Sequence, residues 1–154
     1  GRTVSLAYLW NAVRVQGGAY GTGMVLRDTG FAGFFSYRDP SAARTLDCYH
    51  ASAGFLRGAG DMDLTGMITG AVAESDPLLT ARMKGKVSDA RYWRRITHAD
   101  LCRVRREMLA AAPEDLVALA DPVEELTAQG AVCILGPQQQ IDVCARLLDH
   151  VSVL

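Results

Sequence analysis

The sequence predicts a two-layer α+β domain in which helices cover one face of a mainly antiparallel sheet. Two observations carry that prediction. Two short aromatic or β-branched runs, Gly23 to Arg27 and Phe31 to Arg38, flank a turn-like Asp28-Thr29-Gly30 and read as a hairpin. Almost everything after them repeats apolar residues at helical spacing, with one further short apolar run near the end. At 154 residues and 49% hydrophobic the chain has the size of one domain with a real core. No repeat, low-complexity tract or long internal linker divides it.

Leu6, Leu9, Trp10 and Val13 follow the pattern of an amphipathic helix that Gly17-Gly18 stops. The hairpin comes next. Along its second run Phe31, Gly33, Phe35 and Tyr37 share one face, while Ala32, Phe34 and Ser36 make the other mostly apolar or small. A strand apolar on both faces suits neighbours on both sides better than an exposed edge. Asp39-Pro40 supplies an N-cap and first turn for a helix with Leu46, Tyr49, Ala53 and Leu56 inside, ending at Gly58 and Gly60. Asp61 to Glu74 reads as a third helix, weakened by Gly66 and Gly70, and Pro77 to Trp93 as a fourth. Thr97-His98-Ala99-Asp100 resembles a capping box with Asp in place of Glu, opening a helix whose buried stripe is Leu101, Val104 and Met108. Pro113 starts another, with Leu116, Leu119, Val123 and Leu126 inside and Gly130 as its stop. Ala131 to Leu135 is expected as a short buried strand, Gly136-Pro137 as a turn, and Ile141, Cys144 and Leu148 as the face of a last helix. Val151 to Leu154 could add a final strand.

With 16 basic and 17 acidic residues the formal charge is −1, so no global field argues for nucleic acid or an anionic membrane. Nothing approaches the roughly 18 unbroken apolar residues of a membrane span. Cys48, Cys102, Cys133 and Cys144 form no C-x-x-C pair and read as free buried thiols of a reducing compartment. No secretory signal pattern opens the sequence. Gly1 reads as a remnant of cloning, and the helical pattern begins at once, as though the chain started partway into a larger protein. Arg91, Arg94, Arg95, Arg103, Arg105 and Arg106 form the one basic concentration; a solvated helix face explains it better than nucleic acid. Asp61 and Asp63 sit where helix N-caps belong, which explains them better than paired catalytic carboxylates.

The most informative stretch is Arg14-Val15-Gln16-Gly17-Gly18-Ala19-Tyr20-Gly21-Thr22-Gly23. Phosphate-binding glycine loops lead from a strand into a helix, so that the helix N-terminus faces the anion. Here the order is helix, glycines, strand, and no Lys-Ser/Thr pair follows. Nucleotide binding is disfavoured. On composition alone the glycines need do no more than permit a tight return from helix to sheet.

Several motifs in order add to that reading: Tyr8-Leu9-Trp10-Asn11, the glycine stretch, Ser36-Tyr37-Arg38-Asp39-Pro40, Thr45-Leu46 and Phe55-Leu56-Arg57. Looser matches continue through Lys84-Gly85, Arg91-Tyr92, Ile96-Thr97, Arg105-Arg106-Glu107 and Val132 to Pro137. Together they resemble the last domain of the presequence proteases, members of the pitrilysin and insulinase superfamily. The resemblance implies a clamshell zinc peptidase of two halves, each with two similar α+β domains, enclosing a chamber for unfolded peptides. Its N-terminal half would hold the zinc through an inverted H-x-x-E-H motif and a distal Glu, with the first motif Glu as general base. That motif is not in residues 1–154, where His50, His98 and His150 stand alone, so no metal is expected here.

By the same resemblance the last domain lends an arginine and a tyrosine across the chamber, corresponding to Arg14 and Tyr20. A phenolic O–H can donate to the developing oxyanion without changing protonation state, which makes Tyr20 the catalytic candidate. Arg14, permanently charged, would grip a substrate carbonyl or carboxylate, and Gly17, Gly18 and Ala19 would let substrate backbone approach. Gln16 stands where the family often has Lys. The strand such domains place before their first helix is not in this chain, so an incomplete sheet is expected, with an open edge that could pair with another copy. The expected partners are the N-terminal half of the same polypeptide and unfolded peptides, with neither nucleic acid nor membrane. A bacterial cytoplasm is the expected location, an organelle matrix the alternative. The rival function is a non-catalytic scaffold, since the superfamily includes inactive members.

Overall fold

The computed structural model of the protein describes residues 1–27 and 29–152. Asp28 of the predicted turn, and Val153 and Leu154 of the terminal run, lie outside them. The chain forms two compact units, residues 1–60 with 116–154, and residues 61–115. The larger unit holds a helix at Val4–Val15, strands β1 (Gly21–Leu26) and β2 (Ala32–Tyr37), and helix α1 (Ala42–Arg57). The smaller holds α2 (Thr65–Ser75), α3 (Ala81–Trp93) and α4 (His98–Ala110). After α5 (Pro113–Ala118), the chain adds α6 (Ala120–Gln129), α7 (Gln138–Cys144) and a 3₁₀ turn at Ala145–Leu147 to the larger unit. The α+β class is as predicted.

The opening helix is wound as a π-helix, with the Gln16 N–H donating to the Asn11 carbonyl five residues back at 2.9 Å. The wider turn changes which side chains point inward: Val4, Leu9 and Val13 are buried, whereas Leu6 and Trp10 are 44% and 45% exposed. The 3.6-residue spacing had placed all of Leu6, Leu9, Trp10 and Val13 inside. Ser5 pins the helix to β1, its Oγ accepting the Met24 N–H at 2.8 Å. The buried face meets Tyr49, Ala53 and Leu56 of α1 and Ala120 and Val123 of α6 in one core. Tyr8 stacks on Phe55 at 5.2 Å and Phe34 on Tyr49 at 4.8 Å. Leu9 and Leu56, almost wholly buried, each contribute about 1.5–3 kcal/mol by leaving water. Arg57 ties α1 to α6 by bridging Asp121 and Glu124.

β1 and β2 pair antiparallel, with Gly21 opposite Tyr37 and Leu26 opposite Ala32. The Arg27 N–H donates to the Phe31 carbonyl at 2.8 Å. By the two-residue alternation, Gly33, Phe35 and Tyr37 then exchange bonds with β1, and the N–H and C=O groups of Ala32, Phe34 and Ser36 point to the opposite edge. No strand pairs with that edge among the described residues. The sequence pattern had suited β2 to neighbours on both sides; here it has one.

Several other expectations are corrected. Ala131 to Leu135 forms no strand and is not buried, with Leu135 81% exposed, and no strand pairs with it among the described residues. Helix α1 starts two residues after Pro40; Asp39 instead accepts the Ser41 N–H at 2.9 Å, making a turn ahead of the helix. Asp63 does the same for Thr65, while Asp61 lies outside α2. Residues 77–80 are not helical, and Thr80 caps α3 by accepting the Met83 N–H. The helix begun by Pro113 breaks at Leu119, which is exposed. Leu148 falls beyond the last helix, and residues 151 and 152 are irregular. Of the four free thiols only Cys144 is buried; Cys48 is half-buried, and Cys102 and Cys133 are exposed.

In the smaller unit the capping box is complete: Thr97 Oγ1 accepts the Asp100 N–H and Asp100 accepts the Thr97 N–H. Those bonds, with Arg103 beside them, hold the Asp100 carboxyl down at about 2. Its helix shows less of a buried stripe than predicted, with Leu101 and Met108 half-buried and Val104 exposed. The basic side chains there are partly neutralised, Arg103 by Asp100 and Glu107 and Arg105 by Asp76 at 2.9 Å.

Candidate functional site

Between the π-helix and β1 the chain reverses in five residues, and the glycines have separate reasons to be there. At Gly18, φ is +80°, a conformation that side chains other than glycine rarely adopt. At Gly17 a Cβ would fall 2.4 Å from the Val13 carbonyl oxygen. Two bonds close the helix end: Gly18 N–H to Arg14 C=O at 3.0 Å and Ala19 N–H to Val13 C=O at 3.2 Å. Ala19 is buried and anchors the loop, so the next residue, Tyr20, stands outward at 64% exposed.

Arg14 and Tyr20 are brought together. Arg14 Nε donates to the Tyr20 carbonyl at 3.0 Å, and its guanidinium lies 3.9 Å above the Trp10 ring. The Tyr20 N–H donates to the Tyr37 carbonyl at 3.1 Å and the Arg38 carbonyl at 3.3 Å, so the end of β2 fixes its backbone. The Tyr20 ring meets Tyr37 edge-on at 5.8 Å, and the Arg38 guanidinium sits 5.6 Å from Tyr20 and 5.4 Å from Tyr37. Arg38 itself has φ +49°, unusual for a residue with a side chain. The result is an exposed tyrosine whose ring meets one aromatic ring and one cation, and whose backbone carbonyl is held by a second cation that lies on Trp10. Such a surface can donate hydrogen bonds to carbonyl oxygens and attract negative charge.

Sequence reading missed Trp10, Tyr37 and Arg38 as parts of this site. Trp10 was hidden by the assumption of α-helical spacing. Tyr37 and Arg38 were within reach: a hairpin closing on Arg27 and Phe31, counted back residue by residue, puts Tyr37 opposite Gly21 and Arg38 beside Tyr20. The three histidines are exposed, and among the described residues no three His, Cys, Asp or Glu side chains come together to hold a metal.

A profile of the PreP C-terminal domain family matches residues 2–136, nearly the whole chain. This chain belongs to that family. Its relatives agree with the assignment. A presequence protease 1, chloroplastic/mitochondrial, of Arabidopsis thaliana is 33% identical over 144 residues, covering 90% of this chain and 13% of its own length. Protein HypA of Clostridium perfringens is 34% identical over 147 residues, covering 94% of this chain and 15% of its own. A mitochondrial presequence protease of Drosophila melanogaster is 26% identical over 138 residues. The chain thus spans about one-seventh of the length of these relatives. As a member of the PreP C-terminal domain family it is a domain of the presequence-protease kind, and no helix among its described residues is long and apolar enough to cross a membrane.

Proposed function

We propose that residues 1–154 act as the C-terminal, non-zinc-binding domain of a zinc metalloendopeptidase that degrades unfolded oligopeptides, and that the glycine loop lends Arg14 and Tyr20 to its active site. The observation that carries this reading is the geometry of the pair: a bond from Arg14 to the Tyr20 carbonyl, with the phenol left facing solvent. Zinc, if held by the N-terminal half of the polypeptide, would supply an activated water as the nucleophile. Tyr20 donates its phenolic O–H to the substrate carbonyl oxygen as negative charge builds there, and the exposed ring leaves room for a peptide to reach it. Arg14 has its Nε occupied by the Tyr20 carbonyl and its face by Trp10, which leaves the two Nη groups to hold a substrate carbonyl or carboxylate. Gly17 and Gly18 place no bulky side chain in the path of substrate backbone, and the buried Ala19, expected beside them, anchors the loop from within. Free thiols suit either a bacterial cytoplasm or an organelle matrix.

The test compares the isolated chain with the full-length protein on an unstructured fluorogenic peptide, with zinc measured by elemental analysis. Zinc and hydrolysis in the full-length protein, and neither in residues 1–154, are expected. Full-length protein that binds no zinc and cleaves nothing would leave this domain a scaffold.

A further inference from the structure

Within the smaller unit a groove of about 420 Å³ runs between α3 and the start of α4. Lys84, Val87, Ser88 and Arg91, at i, i+3, i+4 and i+7, form one wall from a single face of α3. Ile96, His98 and Leu101 form the other. A tight turn joins the two walls: the Arg95 N–H donates to the Tyr92 carbonyl at 3.0 Å and the Ile96 N–H to the Arg91 carbonyl at 2.9 Å, with Arg95 at φ +55°. Val87, Ile96 and Leu101 are half-buried and make the lining apolar, while Lys84, Ser88 and Tyr92 are exposed along the rim.

The fixed charge in the groove has one sign. Lys84 and Arg91 line it, and no acidic side chain does among the described residues. Arg103 and Arg105 are neutralised by carboxylates, whereas Lys84 and Arg91 form no ion pair among the described residues. Of the arginines in this basic stretch Arg91 alone is half-buried; Arg94, Arg95, Arg103, Arg105 and Arg106 are exposed. A partly buried guanidinium without a counter-ion is costly, and an anion bound to it relieves the cost. His98 Nε2 lies 3.4 Å from Cys102 Sγ. With the thiol donating to Nε2, the Nδ1–H is left to donate to the same anion. Three sequence motifs that the proposed function leaves unused, Lys84-Gly85, Arg91-Tyr92 and Ile96-Thr97, each supply lining residues.

We propose that this groove holds the C-terminal residue of a peptide, its α-carboxylate on Arg91 and His98 and its apolar side chain against Val87, Ile96 and Leu101. Three observations select that occupant. The unpaired guanidinium offers a planar fork that matches a carboxylate. Apolar side chains on both walls call for an apolar group beside the anion, which a C-terminal leucine or phenylalanine carries and a phosphate does not. The exposed rim leaves an occupant open to solvent, whereas a small-molecule site encloses about 70–90% of its ligand, so the end of a longer chain fits better. Lys84 stands about 10 Å along α3 from Arg91. Three extended residues at about 3.3 Å each cover that distance, so its ammonium meets the backbone carbonyls ahead of the terminal residue. The choice of a peptide as the chain whose end is held rests on the oligopeptidase reading; the site itself rests on nothing about Arg14, Tyr20 or zinc.

Chemical-shift mapping on nitrogen-15-labelled residues 1–154, with a short acetylated peptide ending in leucine, as the free acid and as the C-terminal amide, tests it. The free acid should shift the amides of Val87, Arg91, Ile96, His98 and Leu101 with a dissociation constant of about 1 mM or lower, and the amide should bind at least about 10-fold more weakly. Arg91→Met should weaken the free acid by about 10-fold or more, with Arg91→Lys in between. Arg82→Met, on the same helix but outside the lining, should leave binding within about twofold. The spectra report whether each variant is folded, and if Arg91→Met is not, the comparison of acid with amide decides on the unsubstituted chain. Equal binding of acid and amide, or no shift of these residues at about 10 mM peptide, would overturn the proposal. An equal loss in Arg82→Met would overturn it as well, leaving only a general attraction of charge. Inorganic phosphate or a fatty acid that binds as tightly as the peptide would do the same, assigning the groove to anions at large or to lipid. Because binding is read without zinc or turnover, the site can stand where the peptidase reading fails, and fail where that reading stands.

Discussion

Gly17→Ala should be the most damaging small substitution in the loop. The added methyl would lie 2.4 Å from the Val13 carbonyl oxygen, roughly 1 Å inside van der Waals contact. Either the loop backbone or the carbonyl must move, and that carbonyl also accepts the Ala19 N–H at 3.2 Å. Overpacking of this kind costs about 1–3 kcal/mol and a lost hydrogen bond about 0.5–1.5 kcal/mol, so together they cost about 1.5–4.5 kcal/mol. Urea unfolding of residues 1–154, followed by circular dichroism, reads this as a midpoint roughly 1–2 M lower. Gly54→Ala supplies the internal contrast. Gly54 lies within α1 with open space where its Cβ would be, so alanine there should raise stability by about 0.5–1 kcal/mol through helix propensity. If Gly17→Ala stayed within about 0.5 kcal/mol of the unsubstituted chain, the loop would not have the tight geometry that this reasoning requires.

Leu9→Ala should cost about 2–5 kcal/mol, because the side chain is fully buried, whereas Trp10→Ala, half exposed, should cost about 1 kcal/mol or less; comparable losses in urea unfolding would restore the α-helical reading of the opening helix. The Asp100 carboxyl is held down at about 2 by its bonds to Thr97. A depressed pKa means that its stabilisation of the α4 start is present above the ordinary carboxylate range, near pH 4, and is lost as pH falls through about 2. Carbon-detected NMR titration should therefore find its midpoint about two units below an ordinary aspartate, and a midpoint near 4 would show that the capping box is not formed.

Much of the fold could be read from the sequence because the signals were local. The hairpin, the capping box at Thr97 and Asp100, and the inward face of α1 each depend on residues within one or two turns of one another. What escaped depended on neighbours distant in sequence or on backbone geometry. Ala131 to Leu135 has a strand's composition, but a strand exists only when another pairs with it, and none among the described residues does. The π-winding of the first helix moved Trp10 from the expected core to the surface beneath Arg14, where no periodicity rule would have put it. At the site, Arg14 and Tyr20 came from resemblance alone; their six-residue separation says nothing until Gly18 turns the chain and the Tyr20 carbonyl meets Arg14 Nε. Arg38 entered through register, a property of the pair of strands and not of either one.

The central claim is that the exposed Tyr20 phenol donates to the reacting carbonyl. Its most direct test is kcat/KM for an unstructured peptide in the full-length protein carrying Tyr20→Phe, beside the unsubstituted protein and with zinc content measured in both. The phenylalanine keeps the ring against Tyr37 and Arg38 and removes only the donor. A loss on the order of 100-fold or more with zinc retained is the predicted result. An unchanged kcat/KM would contradict the account and leave Tyr20 without a part in the chemistry.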